Sequence, residues 1–145
     1  MLQRKQSIWL LIAALLNAGV IFFDLYRWHE VANGVDVKHE IRVTNNYPMF
    51  IIVLVCTVLP LVTMFMYKQR KRQVMMTAFN IAAVCGLNAQ MLLKIGHEAK
   101  LSTAIASGTY WIGAALPVIS IIFLILAIVG IRKDDKLVKS MDRLR

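Results

Sequence analysis

The apolar residues of this chain fall in long unbroken runs rather than in stripes, at about 7–26, 48–67, 74–93 and 110–131. About 20 such residues in α-helical form reach across a hydrocarbon layer of roughly 30 Å at 1.5 Å per residue. A soluble domain of 145 residues needs more polar surface than a sequence 59% hydrophobic and 17% charged provides. The expected fold class is therefore an all-α membrane protein with four transmembrane helices, a single integral domain over 1–145 that ends in a basic tail, 132–145.

Arg4 and Lys5 before the first run also fit the start of a secretory signal peptide. The apolar core Ile8–Phe23 is longer than a typical signal core, however, and Leu16 or Asn17 stands where cleavage requires a small side chain. An uncleaved anchor is expected. Twelve of the 17 Lys and Arg lie in the N-terminus, the 68–73 turn and the segment after Ile131, with three of the eight acids. The two remaining connections, with Asp24 counted to the first of them, hold five basic and five acidic residues, so the whole net charge of +9 belongs to one face. The positive-inside rule puts that face and both termini in the cytoplasm. It also accounts for a charge that would suggest nucleic acid in a soluble protein, and no nucleic-acid partner is expected.

The apolar cores of the spans hold no Asp, Glu, Lys, Arg or His. Ion-coupled transport usually needs an ionisable group at membrane depth, and bis-histidine haem needs two imidazoles there. Thiol oxidation needs an exposed reactive cysteine pair, whereas Cys56 and Cys85 lie in apolar runs, form no C-x-x-C motif and read as small buried hydrophobes. No enzyme activity, catalytic residue or cofactor is expected.

The side-chain amides inside the spans are Asn17, Asn80, Asn88 and Gln90. They either line a ligand path or link helices by hydrogen bonds, and without a charged companion the second reading is favoured. Ala78, Ala82, Cys85, Gly86 and Ala89 form a small-residue stripe on the third span, expected to make its helix contacts, beside Thr77, Asn80, Val84 and Asn88. The first span contributes Ala14, Asn17 and Ala18, the fourth Gly113, Ala114 and Ser120. Pro60 and Pro117 should bend their helices, and Pro60 frees the carbonyl of Cys56, four residues earlier.

Between the first two spans, Val35, Val37, His39, Ile41 and Val43 alternate with polar residues, the period of a strand. Asn33-Gly34 is a favoured two-residue turn, with Trp28–Ala32 as the other arm. The segment is thus a β-hairpin or an irregular extracytoplasmic loop. A lone hairpin would have to rest on the membrane surface or a partner. His29, His39 and His97 each precede a glutamate on this side, but gaps of ten and 58 residues lack the close spacing of metal ligands. They read as solvated loop residues, and no metal is expected.

In the tail, Leu137, Val138, Met141 and Leu144 fall within about 120° of a helical wheel, opposite Lys136, Lys139 and Arg143. Asp134 or Asp135 can cap such a helix, with Asp135–Lys139 as an i,i+4 pair. A basic amphipathic helix of this kind lies on an anionic inner leaflet or docks onto a protein. The candidate lipid or partner contacts are Lys68, Arg70, Lys71, Arg72, Lys136, Lys139, Arg143 and Arg145.

Both termini, Met1-Leu-Gln-Arg-Lys-Gln-Ser-Ile-Trp-Leu-Leu11 and Ile131-Arg-Lys-Asp-Asp-Lys-Leu-Val-Lys-Ser-Met-Asp-Arg-Leu-Arg145, resemble the signatures of a Bacteroidota family of small integral membrane proteins classed as a domain of unknown function. The resemblance covers the whole chain in length and span order. It implies four membrane helices in a bacterial inner membrane and transfers no catalytic residue. The Arg27–Tyr47 segment is not part of the pattern that carries it, so it supports no role for the hairpin.

The expected function is that of a non-enzymatic accessory or scaffold protein, using its basic cytoplasmic face toward anionic lipid or a membrane or cytoplasmic protein. The alternatives are a binder or sensor of a small apolar ligand near Asn17, Asn80 and Asn88, and a metal-dependent site at the outer-face histidines.

Overall fold

An α-helix pairs each backbone N–H with a C=O of its own segment, and each of the four apolar runs folds as a helix over most of its length. A computed structural model describes residues 3–32, 35–67, 69–100 and 108–142. In chain order the elements are α1 (Gln3–Gly19), β1 (Tyr26–Ala32), β2 (Val35–Ile41), a 3-10 turn (Val43–Asn45), α2 (Tyr47–Phe65), α3 (Arg70–Ala99), β3 (Thr109–Tyr110) and α4 (Ile112–Asp142). Helices α2, α3 and α4 are long and apolar enough to cross a membrane, and α1 contributes a shorter apolar helix, Gln6–Gly19.

The first helix stops short of the expected span end near residue 26. Val20, Ile21 and Phe22 donate to the carbonyls of Asn17, Ala18 and Gly19 in tight i→i+3 bonds that close the last turn. Phe22 and Phe23 prolong the hydropathy of the run, but the sheet claims the backbone beyond them, with Leu25 N donating to Ile41 O at 2.9 Å. At the start of α2, Asn46 caps the helix by accepting from Met49 N at 3.4 Å, with Pro48 in the first turn. Helix α3 outlasts the expected 74–93 because Lys94 and Glu98 pair at 2.6 Å one turn apart and carry it through its polar end.

The tail is not a separate helix. Residues 132–142 extend α4 without a break, so Asp134 caps nothing and instead accepts a hydrogen bond from Gln6 Nε2 in a buried contact. This corrects the expectation of a tail helix with its own capped start. Arg143 and Arg145 lie outside the described residues, as does the side chain of Lys139.

Helix α1 packs against α2 and α4, and α3 packs against the same two. Gln6 meets Asp134 at one end of the bundle and Asp24 O accepts from Gly113 N at the other, so α1 and α4 run antiparallel. Leu10, Ala13, Cys56, Val84, Leu124 and Ala127 fill the half nearer the termini, and Val20, Leu25, Met49, Val53, Leu87 and Met91 the half beneath the sheet.

The buried face of α3 overturns the small-residue expectation. Gln73, Thr77, Asn80, Val84, Leu87 and Met91 point into the bundle, while Ala78, Ala82, Cys85, Gly86 and Ala89 are exposed. Polar and branched side chains that reach neighbouring backbones set this contact, so close approach through small residues is not used. Cys56 is buried as expected, whereas Cys85 is exposed. Outward, large apolar side chains such as Phe22, Phe65 and Leu93 are 79%, 74% and 74% exposed. Soluble monomers rarely present so extensive an apolar surface.

The hairpin forms, and it does not stand alone. Strands β1 and β2 pair antiparallel from Tyr26↔Ile41 to Ala32↔Val35, a register that spans residues 33 and 34, which lie outside the described residues. The unexpected strand β3 pairs with β1, giving the sheet order β2-β1-β3. Tyr26 and Ile41 are buried in the bundle core. The sheet therefore rests on the protein's own helices.

Candidate functional site

The centre of the bundle is organised by what Pro60 lacks. A proline has no N–H to give the carbonyl four residues earlier, and Cys56 O is bonded from two other helices instead. Asn17 Nδ2 of α1 donates to it at 3.2 Å and Asn80 Nδ2 of α3 at 3.4 Å. Ser120 of α4 donates its single hydroxyl proton to Asn17 Oδ1 at 3.0 Å or to Pro117 O at 2.8 Å. All four helices thus meet at one small polar node, with Asn17, Asn80 and Ser120 fully or almost fully buried. Asn80 Oδ1 has no partner in this network. Asn88 is not part of the node: it donates to Val84 O of its own helix at 2.8 Å. Gln90 stands apart too, its Oε1 buried without a partner.

The sheet end is closed by a buried carboxylate that hydropathy conceals, because Asp24 falls inside the expected first span. Asp24 is 2% exposed and accepts from Arg27 and, at 2.6 Å, from Arg42 Nε. Burial pushes its carboxyl up, but the hydrogen bonds and charges of the two guanidiniums together outweigh burial and hold it below the ordinary value of 3.8. Arg27 also lies 3.9 Å over the Trp111 ring. Arg42 reaches Glu40 at 2.7 Å. On the exposed part of the hairpin His29 pairs with Asp36 at 3.2 Å, and His39 stacks on Trp28 with ring centroids 5.2 Å apart. Among the described residues no three His, Cys, Asp or Glu side chains converge as a metal site.

Two kinds of concavity remain. Between α3 and α4 an apolar cleft of about 750 Å³ is lined by Cys85, Asn88, Ala89 and Leu92 on one side and Ala114, Val118 and Ile121 on the other, with Tyr110 and Trp111 at its sheet end. At the opposite end of the bundle a cleft of about 660 Å³ is lined by Tyr67, Gln69, Arg70, Lys71 and Arg72 against Asp135 and Val138 of α4. A lobe of about 230 Å³ adjoins it, lined by Arg70, Lys71, Arg132 and Asp135 together with Val74 and Ile131. Arg70 Nη1 donates to Asp134 O at 3.1 Å and ties the start of α3 to α4.

Of the expected basic contacts, the structure brings Arg70, Lys71 and Arg72 to this cleft and leaves Lys136 exposed on α4. Lys68 lies outside the described residues. Arg132, expected as part of the basic tail but not among the named contacts, joins the set. Its place beside Ile131 on a continuing helix was the available signal.

The family model described as Domain of unknown function (DUF4293) matches residues 2–144. The matched stretch includes the hairpin segment, which the terminal signatures alone do not reach. Comparison with curated proteins finds no match.

Proposed function

We propose, from the premise that the chain belongs to the DUF4293 family, that it is a non-enzymatic accessory protein of a bacterial inner membrane. In this reading it crosses four times with both termini in the cytoplasm, and its basic end engages anionic lipid and docks a protein partner. The observation that carries it is the pairing of bland helices with a charged end. The start of α3 and the far end of α4 bring Arg70, Lys71, Arg72 and Arg132 around one cleft. The node inside the bundle, by contrast, is spent on bonding a freed backbone carbonyl. The positive-inside rule supports a cytoplasmic position for that end. At about 25 Å, α1 spans most of the hydrocarbon thickness with its 17 residues.

Reporter fusions test the orientation: residues 70 and 145 are expected in the cytoplasm and residue 40 outside. Finding 40 and 70 in one compartment, or 145 outside, refutes the arrangement. Truncation before Lys136 is expected to leave insertion intact and remove a co-purifying protein partner. Partners that persist without the tail end the docking proposal.

A second reading, a binder of a small apolar ligand, is favoured by the α3–α4 cleft. It shifts the ligand away from Asn17 and Asn80, which face the node, to Asn88, which lines the cleft. A retained apolar molecule detected by native mass spectrometry, lost on Ala114→Phe, supports it. An empty protein and an unchanged spectrum count against it.

A further inference from the structure

We propose that the cleft at the start of α3 is a site for the phosphate of an anionic lipid headgroup, with an acyl chain entering the adjoining lobe; this rests on the reading that the basic end faces an anionic leaflet. Three successive cations, Arg70, Lys71 and Arg72, open α3, with no acid in its first turn and no side-chain cap from Gln69. A helix start already carries partial positive charge, so cations are disfavoured there. An anion seated among them offsets both the crowding of like charge and the open N–H groups. The cations line a concavity rather than a convex surface, and Arg132 adds a fourth from α4. Asp135 lines both the cleft and the lobe and has its own partner in the fold.

The shape selects the occupant. Val74 and Ile131 line the smaller lobe beside the cations, and Tyr67 and Val138 line the larger one. Phe65, at the end of α2, and Met75, on α3, are exposed apolar side chains at the same end of the bundle. A soluble phosphate has no use for these apolar side chains, whereas a phospholipid matches the cations with its headgroup and Val74 and Ile131 with the start of its chain. Arg70 is held in place by its bond to Asp134 O, leaving exposed Lys71 and Arg72 to engage the ligand.

The test is native mass spectrometry of the full-length chain in detergent, titrated with phosphatidylglycerol or with phosphatidylcholine of the same acyl composition. Each cation near an anionic surface contributes about fivefold in affinity, so Lys71→Gln with Arg72→Gln is expected to weaken phosphatidylglycerol binding about 25-fold. Phosphatidylcholine binding is expected to stay the same, as are the far-UV spectrum and melting temperature. The charge-matched pair Lys133→Gln with Lys136→Gln, outside the cleft lining, is expected to change binding by less than about threefold. Equal losses in the two pairs overturn the site while leaving a diffuse basic face intact. A wild-type chain that does not distinguish the two lipids overturns the site and the lipid half of the broader reading together. Inorganic phosphate that displaces the lipid at equal affinity overturns the lipid assignment.

Discussion

Asn17→Ala should destabilise the bundle by an amount that depends on Pro60. Asn17 donates to Cys56 O at 3.2 Å and accepts from Ser120 at 3.0 Å. Interhelical hydrogen bonds in membrane proteins average about 0.6 kcal/mol, so the two bonds are worth about 1.2 kcal/mol. Truncation also leaves Cys56 O with only the longer Asn80 bond at 3.4 Å. An under-satisfied buried carbonyl adds about 1 kcal/mol, for a total near 2 kcal/mol. Ser120 escapes a penalty because Pro117 O remains as its acceptor. In a Pro60→Ala background residue 60 regains an N–H for Cys56 O, so the carbonyl term vanishes and Asn17→Ala should cost only about 1 kcal/mol. The coupling of about 1 kcal/mol exceeds the 0.3–0.5 kcal/mol scatter expected of independent sites. Reversible unfolding in mixed micelles, followed by far-UV circular dichroism on the four proteins of the cycle, measures it. Equal costs of Asn17→Ala in both backgrounds would show that Asn17 does not serve the carbonyl that proline frees.

Other outcomes follow from the sheet end and from α3. Because Asp24 is held below 3.8 in the folded protein, its contribution is present above the unfolded carboxylate range and is lost as pH falls through the depressed folded value. Melting temperature should therefore decline below about pH 4, and Asp24→Asn should be less stable at neutral pH with a flatter acid limb. A profile for Asp24→Asn that parallels wild type excludes the clamp as its source. A Cβ at Gly113 would sit 2.5 Å from Asp24 O, a backbone atom that cannot move aside. Gly113→Ala should thus cost about 1–3 kcal/mol by unfolding titration. Gly86 has open space around the same position, so Gly86→Ala is expected to be neutral or stabilising by up to about 1 kcal/mol through helix propensity. The reverse order of these two glycines would contradict the packing of α3 and α4.

Much of the node can be read from sequence in separate pieces. Proline chemistry alone identifies Cys56 O as a freed acceptor, and Asn17 and Asn80 stand out as amides in apolar runs. What joins them is the distance across helices, which sequence periodicity does not encode. The face of α3 departs from its small-residue stripe for a related reason: small side chains permit close approach, but Gln73 and Asn80 have backbone partners on α2 to reach, and satisfying them turns Ala82 and Gly86 outward. Helix ends failed where hydropathy and hydrogen bonding part company. Phe22 and Phe23 are apolar yet lie beyond α1, and Arg132 and Lys133 are charged yet remain in α4. Strand β3, only two residues long, is too short to show any period. The alternation through Val35–Ile41 points to the hairpin, one of the two readings the sequence leaves open, because strand period is a local property; the Asn33-Gly34 turn lies outside the described residues.

The unbroken course of α4 keys the two ends of the protein to one screw. Its first residues are fixed in azimuth by the Gly113–Asp24 contact, and every later side chain inherits that angle through 31 residues of helix. One residue added between Ile131 and Asp134 would swing the cleft wall round by about 100°. Asp135 and Val138 would then face away from Arg70, and Gln6 would lose its buried acceptor. The cationic cleft is in this sense machined from the far side of the bundle, and its alignment tolerates side-chain changes more readily than changes in length.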